Sequence, residues 1–192
     1  MTVPIANNNG AMQAVAPATA DLVAQLKKTF EKQANVRVNI TSVNTRPGLQ
    51  WDADGDGGLR YPSAGNTAEL DAILTDQQIA AVPGDYKVFI VNYITQAPAT
   101  PANPNPGETR GISLQRQGQT ACFIGTRDRL NPPFPALPSV DVLTAIAHEA
   151  FHLMDARGIS IHNAQLNHLM VDDLNLKNQD VAPPVVEGWA AG

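Results

Sequence analysis

His148-Glu149-Ala150-Phe151-His152 is the stretch of this chain whose residue types and spacing could do chemistry, and it matches H-E-x-x-H. On a helix, residues four apart lie one turn apart on the same face, so both imidazoles can reach a single zinc ion. The glutamate beside the first histidine then stands where it can take a proton from water that the ion has acidified.

Such a pair has to be carried on a helix, and the flanking residues predict one from Ser139 to Gly158. Ser139 is a suitable N-cap and Gly158 a natural stop. At roughly 100° per residue, Asp141, Thr144, His148, Glu149, His152 and Asp155 fall within a sector of about 140°. The rest of the circumference carries Val140, Val142, Leu143, Ile146, Ala147, Ala150, Phe151, Leu153 and Met154. A helix apolar over most of its surface is buried. Histidines and acids on the remaining strip then need a partner, which a cation supplies.

Catalytic zinc uses three protein ligands and keeps a further position for water. The downstream candidates for the third are Asp155, His162, His168, Asp172, Asp173 and Glu187. Asp155 shares the helix face but lies a turn beyond the pair, which suits a supporting or salt-bridging role.

On these residues the chain resembles the zincin metallopeptidases, and most closely the matrixin-like members of the metzincin clan. Beyond the histidine pair, His162-Asn-Ala-Gln-Leu-Asn-His-Leu-Met170 has the histidine-to-methionine spacing of those members. The preceding order is similar too: an apolar strand at 88–94, a Pro-rich loop, Gly111-Ile112-Ser113 as an edge strand, and another strand before the active helix. The resemblance covers roughly residues 20–180. It implies an α/β (α+β) zincin-like sandwich, with a twisted mixed sheet packed against an N-terminal helix and the buried active-site helix. It also implies zinc on His148, His152 and His162, a turn at Met170 beneath the metal, and Glu149 as general base. Asp155 and Gly158 stand where the clan has its glycine and third histidine, so His162 requires a helix about one turn longer before the chain bends back. Pro183-Pro-Val-Val-Glu187-Gly-Trp-Ala resembles the glutamate-bearing segment of the gluzincins, which makes Glu187 the alternative ligand. The implied function is zinc-dependent hydrolysis of peptide bonds. The alternative is a non-catalytic zinc-binding domain of the same fold that grips a peptide without cutting it.

Composition sets the outer limits. With 192 residues, 43% hydrophobic and 16% charged, the chain is expected to have a loose arm over 1–18 and one globular domain over 19–192. A net charge of −5 without a basic cluster argues against nucleic acid as a partner. Cys122 is the single cysteine, which excludes an internal disulfide framework and a Cys-rich zinc site. No stretch is long enough to span a membrane. Met1 to Ala20 lacks the basic start and apolar run of a secretory signal, which leaves a cytosolic protein or a secreted one whose leader lies outside this chain. A monomer acting on a peptide or protein is expected.

The remaining elements follow from periodicity and turn residues. Helices are expected at Asp21–Ala34 and from Asn66 to Ala81, the second opened by an Asn66/Glu69 capping pair. Strands are expected at Val36–Val43, Tyr86–Ile94, Gly111–Arg116 and Thr120–Thr126, the last two joined at Gln117-Gly118. Four prolines exclude regular structure at 97–107. Asp52, Asp54 and Asp56 alternate before Gly57-Gly58 like the start of a calcium loop, although Ser63 stands where such a loop ends in glutamate. The two readings are a structural calcium ion on those three acids and a plain Asp/Gly turn.

Overall fold

Strand alternation sorts the β residues of this chain onto two apolar faces, and helices cover both. The computed structural model describes residues 2–4, 14–15, 17–31, 37–40, 49–62, 66–95, 109–129 and 133–154. Asp155, His162, His168, Met170, Asp172, Asp173, Glu187 and the loop at 97–107 lie outside the described residues. The elements in order are β1 (Thr2–Pro4), α1 (Thr19–Leu26) running into a π-helical turn at Lys27–Glu31, α2 (Ala68–Leu74), α3 (Gln77–Ala80), β2 (Lys87–Val91), β3 (Gly111–Arg116), β4 (Gln119–Gly125) and α4 (Ser139–Met154).

The sheet has the order β1-β2-β4-β3. Strand β2 runs parallel to both β1 and β4, whereas β3 pairs antiparallel with β4 and forms the edge. The sheet is therefore mixed, as expected for its class. Ile90, Cys122 and Ile124 point to one face, where they meet Leu22, Leu26 and Phe30 from the first helical segment and Val142, Ile146 and Phe151 from α4. Phe89, Val91, Ile112 and Phe123 point to the other, against Trp51, Leu59, Leu70, Ile73 and Ile79. The Phe89 and Phe123 rings stack with centroids 4.7 Å apart. Cover on both faces explains why β2 reads as a continuous apolar run.

The β3–β4 hairpin is local chemistry. Gln117 (φ 52°) and Gly118 (φ 69°) both take the left-handed conformation that a two-residue turn matched to strand twist requires. At the far end of β3, the Arg116 guanidinium binds both carboxylate oxygens of Asp71 on α2, at 2.5 and 2.7 Å. That pairing holds the Asp71 carboxyl well below the usual carboxylate range and clamps the edge strand to the helix behind it.

Three expectations change, the first being that Thr2–Pro4, inside the expected loose arm, joins the sheet as β1 beside β2. The Asn66–Ala81 helix is two short helices, because the Asp76 side chain accepts from Gln78 N and Ile79 N (3.1 and 3.0 Å) and starts a new helix instead of continuing the old one. Thr67 is the N-cap of α2, and the Glu69 carboxylate turns away to accept the backbone N–H groups of Ala53 and Arg60. Arg37–Ile40, the described part of the Val36–Val43 strand, makes no sheet ladder among the described residues. Val38 and Ile40 still pack against the α4-side core. Their alternation records a covered face, which extended chain supplies without strand pairing.

Candidate active site

Helix α4 is aimed by the segment before it. Leu137 N donates to Thr126 O at the end of β4 (2.8 Å), and the Pro138 carbonyl accepts Asp141 N and Val142 N (3.0 and 3.2 Å). Ser139 is thus the first helical residue, and the carbonyl before it closes the first turn. The polar strip then resolves residue by residue. Asp141 faces Arg110 at 3.7 Å, and the buried Thr144 hydroxyl donates back to Val140 O at 2.7 Å. His148, Glu149 and His152 remain as the group that can act outside the helix.

The two imidazoles converge. His148 Nε2 and His152 Nε2 are 3.1 Å apart, with the rings edge to face at 79°. His148 is 5% exposed and His152 half-buried. At a zinc–nitrogen distance of about 2.0–2.1 Å, nitrogens so placed subtend roughly 100° at one ion, which a tetrahedral centre accepts. The same separation admits an N–H···N bond when one ring carries its proton on Nε2, and a cation takes that proton's place. The donor set and its spacing fit zinc.

Glu149, the residue between them in the motif, packs its side chain under the edge strand. It is 6% exposed. Ser113 Oγ lies 2.5 Å from its Oε2 and 2.9 Å from its main-chain oxygen. Two residues earlier on the same face of β3, Gly111 leaves the space the side chain occupies. A Cβ at 111 would stand 2.5 Å from Glu149 Oε1 and 2.7 Å from Cδ. Burial pushes the Glu149 carboxyl up to about 7, against the Ser113 hydrogen bond, which acts to lower it. A carboxyl that changes state near neutrality can both take and return a proton.

This environment has a measurable consequence in zinc-free protein. An acid raised from 4.5 to about 7 on folding favours the folded state below pH 4.5, and that contribution disappears as pH rises through 7. The shift corresponds to roughly 3 kcal/mol. Urea denaturation at pH 5 and pH 8 should show the loss, and Glu149→Gln should narrow the difference by about that amount. Asp52 and Glu69, also raised by burial, slope the same way and remain in the variant as background.

The Asp/Gly loop is knitted by its own bonds. Asp52 accepts Gly55 N and Gly57 N (2.7 and 3.0 Å), Asp54 accepts Asp56 N and pairs with Arg60, and Asp56 accepts Gly58 N. Among the described residues, the carboxylates gathered closely enough to share an ion are Asp52, Asp54 and Glu69, with ligand atoms within 4.8 Å of one another. Asp56, read with Asp52 and Asp54 from the alternating acids, is not in that group. Glu69 was hidden because a glutamate in the first turn of a helix reads as a cap.

Comparison with known proteins gives no match to any family model, and no curated protein matches the chain.

Proposed function

We propose that this protein is a zinc-dependent endopeptidase of zincin-like fold, with His148 and His152 as metal ligands, His162 as the third and Glu149 as general base. The observation that carries the reading is the pair of histidine Nε2 atoms 3.1 Å apart beside a buried carboxyl on one helix. The mixed sheet, with its antiparallel edge strand and the histidine helix following β4, supports it.

Zinc supplies polarisation of the scissile carbonyl and acidification of water. The chain's own residues do the rest. Glu149 takes a proton from the attacking water and hands it to the leaving amine. Outside β3 no strand pairs among the described residues. An extended peptide laid along Gly111–Leu114 can therefore add main-chain hydrogen bonds next to Glu149. All three tyrosines, Tyr61, Tyr86 and Tyr93, precede the histidine pair in the chain, so none follows Met170 where some metzincins carry one, and zinc bound at the histidines would supply the oxyanion stabilisation.

The test is elemental analysis together with cleavage of labelled casein. About one zinc per chain, loss of cleavage on chelation and recovery on adding zinc are expected. Cleavage that survives full removal of metal would end the proposal. Replacing His162 and Glu187 separately identifies the third ligand as the one whose loss releases zinc. Peptide binding without cleavage, together with a cobalt spectrum that a hydroxamate leaves unchanged, would establish the non-catalytic alternative.

Gly111→Val should lower kcat about a hundredfold, because a displacement of about 1 Å at a catalytic group has an effect of that order. Its Cβ would occupy the space of the Glu149 carboxyl. Zinc content should hold, since the three atoms nearest the added Cβ all belong to Glu149 and none to a histidine. Unchanged kcat would show that the carboxyl does not act from this position.

A further inference from the structure

Glu149 has to be held still in two states if it works as proposed: ionised before it takes the proton, and carrying that proton until the amine leaves. A fixed donor to Oε2 serves the second only when the proton sits on Oε1. We propose that Ser113 is the positioning residue for Glu149 in both, its hydroxyl swinging between the carboxylate and the main-chain oxygen of the same residue. This inference rests on the peptidase reading.

The geometry is specific. Ser113 Oγ has two acceptors within reach, Glu149 Oε2 at 2.5 Å and Glu149 O at 2.9 Å. A hydroxyl has one proton to donate and lone pairs to accept with. When the carboxyl is ionised, the hydroxyl donates to Oε2. When the carboxyl carries the proton on Oε1, the hydroxyl still donates to Oε2; when the proton is on Oε2, Oε2–H donates to Oγ and the serine proton turns to the main-chain oxygen. Each state is satisfied with no heavy-atom movement. The serine proton stays on serine throughout, while the transferred one passes from water through Glu149 to the amine.

Ser113 is itself fixed. It sits opposite Cys122 in the β3–β4 register, and Cys122 is fully buried in the core that α4 packs against. Gly111, two residues before it, removes the Cβ that would push the carboxyl away. An alanine at 113 would leave a half-buried carboxylate contact unmade, and hydrogen bonds to charged groups are the stronger kind.

The decisive comparison is Ser113→Thr against Ser113→Val, which share a shape and differ in the hydroxyl, with Ser113→Ala alongside. On labelled casein, Val and Ala should lower kcat by tenfold or more with KM within twofold. Thr should stay within threefold of wild type in kcat. Zinc content should be the same in all four proteins. A second measurement needs no metal. In zinc-free protein, Ser113→Ala should lower Tm by several degrees. In a Glu149→Ala background it should lower Tm less than half as much, because only the main-chain bond is then lost. Equal kcat for Thr and Val, loss of zinc from the Val variant, or strictly additive Tm changes would overturn the proposal. Absence of metal-dependent cleavage in wild type would instead remove the peptidase reading, and the zinc-free cycle would still decide whether the grip exists.

Discussion

Glu149→Gln is expected to keep zinc at one ion per chain and to lower casein cleavage by about a thousandfold or more, in line with the 10²–10⁴ that a positioned general base contributes. Glutamine has the size and shape of the carboxyl and cannot take a proton. It therefore tests the base without disturbing the fit under β3. Ser113 Oγ, 2.5 Å from Oε2 in the wild type, can donate to the amide oxygen in the variant. A thousandfold loss corresponds to about 4 kcal/mol of transition-state stabilisation. That exceeds any effect expected from a surface carboxylate, so the experiment separates a base from a bystander. Cleavage within tenfold of wild type, with zinc bound, would remove Glu149 from the mechanism.

Phe151→Ala is the second large effect, and it acts on stability. Phe151 is fully buried and belongs to the core cluster shared by α1, α4 and the α4-facing side of the sheet. Removing a buried phenyl ring costs about 3–5 kcal/mol, the lost transfer term plus the cavity left behind. For a chain of this size Tm should fall by roughly 2–4 °C per kcal/mol. Val140, 49% exposed on the same helix, is the control. Val140→Ala should change stability by no more than about 0.5 kcal/mol. Because Phe151 lies within the turn between the histidines, its loss should also speed release of zinc to a chelator. Equal effects at 140 and 151 would mean that the helix does not seat on the sheet as described.

What could be read from the sequence was whatever depends on neighbours in the chain. The α4 helix announced itself through a nearly complete apolar circumference interrupted by one polar strip. The hairpin did so through Gln117-Gly118, and β2 through its unbroken run of apolar residues. The partners of Glu149 were invisible, since Ser113 reaches it across 36 positions and neither a serine nor a glycine in a strand signals a contact with a carboxyl. Glu69 was misread for the opposite reason. A strong local explanation, the capping box, concealed a tertiary one, namely its bonds to Ala53 N and Arg60 N. Asp76 split a helix that periodicity alone continued. Periodicity counts apolar positions and does not weigh a side chain that competes for backbone N–H groups.

The two-residue turn at Gln117-Gly118 bears on the order in which the molecule assembles. A hairpin closed so tightly forms in about 1–10 μs, and it brings Ser113 opposite Cys122 before anything distant in the chain has arrived. The parallel β2–β4 pairing must wait for closure of the long connection between them, which carries a larger entropy. During biosynthesis the ribosome therefore releases the strand that receives Glu149 ahead of the helix that bears it, and the helix docks onto a finished surface. On the proposed zinc reading, metal capture would come last, and nascent chains should fold to this stage in zinc-starved cells and bind the ion when it is supplied.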